Sequence, residues 1–283
     1  MTFSPKISAR SVLLGAVVLA LPLASGAAQA AETLKVCASK IEAPYSTAKG
    51  DGLENKIAKI VAKAMGREVE YVWFDKAAIF LVRDGLDKKL CDVVFGVDAD
   101  DDRVKATKPY FRTGYVYVTK ASGGPELGSS WKDLETSNAT KFAVRFSTPA
   151  ELILKAAGKY EDNVSYGLSL VNFEDKRNRY TQVAAERLVS EVANGDADAS
   201  IAFASDVARF VKESSTPLKM TMLDDNFAPA DGPKIPLHFD QAIGVRKDDQ
   251  KLAAALDEAL FKAAPEIEKA LADEGVPTLK PNS

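Results

Sequence analysis

Three short β-favouring runs, at residues 34–38, 69–74 and 92–97, alternate with two stretches in which apolar residues recur at helical spacing. In the first stretch these are Leu53, Ile57, Ile60, Val61 and Ala64, ended by Gly66; the second covers residues 78–89. Strand, helix, strand, helix, strand is the order of a parallel sheet with right-handed crossovers. Parallel neighbours can be joined only by a long connection, and that connection packs back on the sheet. Downstream, a strand rich in Tyr, Val and Thr at 114–120 leads out of this unit, and Ser122-Gly123-Gly124-Pro125 punctuates the chain. Strands at 142–146, 199–203 and 218–223 then alternate with helices at 149–157, 182–193 and 206–212, a second and smaller αβ unit. A last strand at 242–245 enters two helices, 250–263 and 265–272.

The first thirty residues stand apart from this pattern. Lys6 and Arg10 precede an apolar stretch at 11–23, and Ala28-Gln29-Ala30 forms a small-x-small site, the layout of a cleaved export signal. The stretch is shorter than the ~20 apolar residues of a spanning helix, and no later segment comes near that length. The expected mature chain begins at Ala31, is soluble and is periplasmic. Losing two positive charges takes its formal net charge from −3 to −5. Such a mild acidic balance argues against nucleic acid or an anionic membrane as partner. Export also bears on Cys37 and Cys91, the only cysteines, because thiol pairs tend to be oxidised outside the cytoplasm. A disulfide is the leading reading, with Cα atoms within about 7 Å. A metal site would want nearby histidines or more cysteines, and a redox pair usually has Cys-x-x-Cys spacing.

Catalytic machinery is sparse. The single histidine, His238, lies between Leu237 and Phe239 and reads as a hinge or packing residue. No Gly-x-Ser-x-Gly, phosphate-cradling glycine loop or His-Glu-x-x-His is present, so hydrolase, kinase and zinc-enzyme readings lose their usual support. No cofactor is expected. Asp98, Asp100, Asp101 and Asp102 follow a buried strand, where open α/β sheets present their sites. Their spacing matches no calcium loop, so they read as a solvated helix-capping loop, with partner contact as a further option. Among the aromatic residues expected near a cleft, Tyr45, Phe146 and Phe203 stand on loops or strand ends facing the second unit.

Residues 50–58 (GDGLENKIA), 91–98 (CDVVFGVD) and 107–115 (TKPYFRTGY) resemble the MxaJ/XoxJ (MoxJ) family, solute-binding-like proteins associated with bacterial quinoprotein methanol dehydrogenases. The resemblance implies a periplasmic binding protein-like type II α/β fold with two αβ lobes, a cleft and two hinge crossings. Lobe 1 is then 31–119 plus 238–283, the strand and helix after His238 returning to complete it, and lobe 2 is 120–237. Amino-acid-binding relatives carry a Gly-Phe-Asp-x-Asp-like run where Gly52-Leu53-Glu54-Asn55-Lys56 stands here. Those relatives grip the ligand carboxylate with an arginine and a threonine, positions matched by Arg103 and Thr148, and the ammonium with an aspartate whose place is taken by Phe203. An ammonium desolvated without a partner costs on the order of a few kcal/mol, so a standard amino acid is a poor ligand. The resemblance implies a non-enzymatic accessory protein with methanol dehydrogenase as partner and its cytochrome c as a further option. The alternative is a receptor delivering a small non-amino-acid solute to an ABC importer, and a weaker one is an enzyme on this fold.

Overall fold

A computed structural model of the protein describes residues 1–4, 32–171, 182–230 and 232–282. The stretch read as an export signal lies outside the described residues, apart from its first four. The chain begins with β1 (Thr33–Ser39), a small ribbon of β2 (Ile41–Glu42) and β3 (Ser46–Thr47), α1 (Leu53–Ala64) and β4 (Glu68–Phe74). A tight helical turn, Ala78–Phe80, and a wide one, Val82–Leu86, lead to β5 (Val93–Asp98), β6 (Lys105–Ala106) and β7 (Phe111–Lys120). Next come α2 (Asp133–Thr136), β8 (Phe142–Val144), α3 (Pro149–Ala156), α4 (Tyr160–Ser169), α5 (Ala185–Asn194), β9 (Ala199–Phe203) and α6 (Ala204–Glu213). The chain closes with β10 (Leu218–Met222), β11 (His238–Val245) and α7 (Gln250–Asp273).

The expected parallel unit is present: β1 runs between β4 and β5, parallel to both. The main sheet continues β4-β1-β5-β11-β7-β9-β8, so the late strand β11 is inserted antiparallel between β5 and β7. β7 pairs with β11 through residues 111–114, then with β9 through 115–118 and with β10 through 116–120. Its partners change at Gly114/Tyr115, inside the strand. Helices cover both faces. α1 and α7 bury Ile57, Val61, Leu256, Leu260 and Leu271 against one face of the first half-sheet. Tyr117, Phe142, Ile153 and Ile201 fill one side of the other half, and Val118, Leu188, Val192 and Val207 the opposite side.

Two local expectations are corrected, and α4 is added as a helix the sequence reading did not place. Residues 78–89 form no regular α-helix. Gly85 packs so close to Cys37 that a Cβ there would stand 2.2 Å from the sulfur, and the turn opens to i→i+5 bonds, Asp87 N to Val82 O at 2.9 Å and Leu90 N to Gly85 O at 3.1 Å. The two C-terminal helices are one, running through Pro265, because an unbroken buried face from Ala253 to Leu271 holds it in place although proline lacks the donor for one helical bond. α4 has no strong apolar period in the sequence. A buried polar side chain anchors it instead: Asn163 accepts from Phe142 N at 2.7 Å and donates to Phe142 O at 3.0 Å.

Two long-range ties brace the whole. Cys37 and Cys91 are bonded, with Cα atoms 5.4 Å apart. Glu274, 5% exposed at the end of α7, accepts from Lys56 of α1 at 2.6 Å and from Arg209 of α6 at 2.8 Å, and Lys212 of α6 donates to the Asp273 carbonyl at 2.7 Å. Among the described residues no helix is long and apolar enough to cross a membrane. Replacing both cysteines by serine releases a loop of 54 residues and is expected to lower stability by about 4 kcal/mol, read by urea unfolding against the oxidised parent. Glu274→Ala leaves two cations without their buried partner and is expected to cost roughly 3 kcal/mol in the same assay, a loss well above that of a surface ion pair.

Candidate functional site

The strand order brings the ends of β5, β9 and β11 together, and a cleft of about 270 Å³ opens there. Its carboxyl groups come from Glu42 on β2, Glu54 in the first turn of α1 and Asp98 at the end of β5. Its rings come from Tyr45, Tyr115 of β7, Phe203 of β9 and Phe239 of β11. The last three form a triangle, with centroids 5.6 Å apart for Tyr115 and Phe203, 5.9 Å for Phe203 and Phe239, and 6.4 Å for Tyr115 and Phe239. The Tyr45 hydroxyl bonds the Ser205 hydroxyl at 2.7 Å, tying the loop before α1 to the first turn of α6.

The run Glu54-Asn55-Lys56 acquires three separate roles. Asn55 staples the loop, its oxygen accepting from Gly52 N at 3.2 Å and Thr47 N at 3.1 Å while its amide donates to Ser46 Oγ at 3.0 Å. Lys56 turns outward to Glu274. Glu54 points into the cleft beside Gly96, whose φ is +70° and where a Cβ would fall 1.8 Å from Glu54 Oε1. Only glycine meets both demands at that position.

Burial governs the charges here. It pushes the Glu54 carboxyl up to about 8, helped by the negative charges of Glu42 and Asp206. Burial also raises Glu42, against the Ala78 N–H that donates to it, and raises Asp98, against the Gln241 amide bonded to it at 2.7 Å. Arg145 stands close by but is engaged, pairing with Asp206 at 2.8 Å and donating to Val183 O at 3.0 Å. Burial works against its charge, yet Asp206, Tyr45 and Glu42 together hold its pKa above the ordinary value.

The residues expected in the cleft divide. Tyr45 and Phe203 line it. Arg103 does not: its guanidinium is bidentate on Asp101, at 2.9 and 2.7 Å, and donates to Ile79 O at 3.1 Å. Phe146 turns its ring onto α4, where a Cβ on Gly167 would stand 3.0 Å from it. Thr148 stands at the N-cap position of α3, its hydroxyl donating to Arg145 O at 2.8 Å, and does not line the cleft. The four aspartates separate as well, with Asp98 in the cleft, Asp101 held by Arg103, and Asp100 and Asp102 exposed. His238 bonds Leu223 O at 2.7 Å, a structural contact. Sequence reading missed Glu42, Tyr115, Phe239, Gln241 and Asp206. Asp206, in the first turn of α6, acts on the site through its pair with Arg145 and through its charge on Glu54. Among the described residues no group of three or more His, Cys, Asp or Glu is placed to hold a metal ion.

An αβ sheet completed by a late returning strand, with a cleft at the strand ends, is the architecture of a solute-binding protein. The chain belongs to the bacterial extracellular solute-binding proteins, family 3, whose profile matches residues 34–270, and within them to the MxaJ/XoxJ (MoxJ) family. It is 52% identical to Protein MoxJ of Methylorubrum extorquens over 259 residues, 90% of this chain and 86% of that protein. The crystal structure of MxaJ from Methlophaga aminisulfidivorans superposes with a TM-score of 0.82 at 44% identity, covering 87% of this chain and 100% of the other. The periplasmic binding protein XoxJ of Methylobacterium extorquens gives 0.63 at 25% identity over 87% and 99%.

Glu54 also makes a prediction about stability. Its carboxyl titrates near 8 in the fold and near 4.5 when unfolded, so the folded state binds more protons between those values and loses stability as pH rises through them. Glu54→Gln removes the penalty. The variant is expected to match the parent at pH 4 and to exceed it at pH 9 by on the order of 2 kcal/mol, measured by chemical denaturation at both pH values.

Proposed function

We propose that this protein is a periplasmic accessory factor of a quinoprotein methanol dehydrogenase system, acting by protein-protein contact in maturation, assembly or activation of the dehydrogenase and catalysing no reaction itself. The observation that carries the reading is the engagement of both arginines near the ligand position, Arg103 by Asp101 and Arg145 by Asp206, on a chain about half identical to MoxJ. An amino-acid receptor needs a guanidinium free to receive the ligand carboxylate; here Arg103 is held bidentately by Asp101, and freeing Arg145 would break a largely buried pair, which is costly. The export-signal pattern at residues 1–30 and the extracellular character of the family support a periplasmic location. A second reading, an importer receptor for a solute without an amino-acid backbone, draws support from the open cleft.

Deleting the gene is expected to lower methanol dehydrogenase activity while leaving uptake of every growth solute intact, and the purified protein is expected to bind the dehydrogenase or its apo form. Loss of one solute's uptake with normal dehydrogenase activity would favour the receptor. Asp100 and Asp102 are exposed and available to a partner, so reversing both to lysine is expected to slow association severalfold at low salt and much less at high salt. A calorimetric screen of the common amino acids is expected to be flat.

A further inference from the structure

The cleft walls carry one sign of charge. Glu42, Glu54 and Asp98 line it, and among the described residues that line it there is no lysine, arginine or histidine. The ring triangle of Tyr115, Phe203 and Phe239 lines the same cleft, and aromatic faces attract cations through the π quadrupole. Glu54 stands out among the acids. Its side chain receives no hydrogen bond or ion pair from the described residues, whereas Glu42 is bonded by Ala78 and Asp98 by Gln241. Gly96 keeps the space that its carboxyl occupies at the cleft. Glu54 is half-buried, and its carboxyl, unpaired by protein groups, is left open to whatever occupies the cleft.

The shape of the anionic wall restricts the ligand. The carboxyl groups come from three separate elements and do not gather into a metal-binding set, so a compact, hard cation is poorly served. Positive charge spread over methyl or methylene groups suits the carboxylates and the rings alike. A volume of about 270 Å³ holds roughly nine groups the size of a water molecule at ~30 Å³ each, which limits the occupant to a small molecule. A carboxylate on that molecule would face three acids with both neighbouring arginines already paired.

We propose that the cleft binds a small organic cation that lacks a carboxylate, a methylated or short-chain alkylammonium, with Glu54 and Asp98 as its anionic contacts and Tyr115, Phe203 and Phe239 as its aromatic wall. This assignment is independent of the dehydrogenase partnership and is tested on the purified protein alone, so either can fail without the other.

The test is isothermal titration at low ionic strength and pH 8.5, where Glu54 carries its charge. Tetramethylammonium and choline are the probes, with 3,3-dimethyl-1-butanol as the neutral isostere of choline, potassium chloride as the inorganic cation and glycine as the zwitterion. Choline and tetramethylammonium are expected to bind at least about tenfold more tightly than the neutral alcohol, with potassium and glycine giving no saturable heat. Phe203→Leu and Asp98→Asn are each expected to weaken choline by about fivefold or more, with circular dichroism and melting temperature verifying that each variant is folded. Equal affinity for choline and the neutral alcohol, saturable binding of potassium or glycine, or no heat from either organic cation with folded parent protein would each overturn the assignment. Full choline affinity in both folded variants would place the ligand elsewhere and overturn it too.

Discussion

Ten consecutive residues of β7 hydrogen-bond to three other strands, and the arrangement of the molecule follows from that sharing. Backbone donors and acceptors buried in a sheet must find partners. β7 meets this demand with β11 over its first four residues and with β9 and β10 over the remainder. Because β11 reaches β7 only after the chain has built the second half, its insertion between β5 and β7 locks the first and last parts of the sequence into one sheet. The ends of β5, β9 and β11 are thereby brought to a common place, and the cleft is the result. The Glu274 contacts add a second link, in which a nearly buried carboxylate joins α1, α6 and α7. The two halves are thus held by a shared strand and an ionic tie.

Within this frame the cleft carries local choices that work against stability. Glu54 lies where burial and two neighbouring acids oppose its ionisation, and the left-handed glycine beside it exists to make room for it. Local choices that cost stability are expected at functional sites and are balanced elsewhere, here by the disulfide and the well-packed layers on both sheet faces. The same fold in amino-acid receptors presents a cation to its ligand. In this chain both candidate cations are bound internally and the cleft has become anionic and aromatic. Membership of a solute-binding family therefore sets the architecture and leaves the ligand chemistry to the side chains.

Much of the fold was legible in the residues. Alternation of period two and period 3.6 placed β1, α1, β4, β5, β9 and α6 within a few residues, because in these elements one face is buried and the apolar positions record it. The pairing of Cys37 with Cys91 was legible from residue types, as two thiols in a chain with an export-signal pattern, one on β1 and the other just before the neighbouring β5. Where the determining contact was distant, periodicity failed. The wide turn at Gly85 depends on a sulfur 48 residues earlier in the chain, the helix through Pro265 on a continuous face against α1, and α4 on one asparagine bonded to β8.

The sequence by itself determined the order of the main strands and of α1, α3, α5 and α6, the disulfide and the family, since these rest on local burial patterns and on residue types. Which side chains face the cleft was decided only by the tertiary structure. Glu54, Asp98, Tyr115, Phe203 and Phe239 are scattered over nearly two hundred positions and converge because β11 completes the sheet. Arg103 and Arg145 were equally undecided from the chain alone. Whether an arginine receives a ligand or an internal aspartate depends on a few ångströms of distance to the competing carboxylate, and local sequence pattern carries no record of that distance.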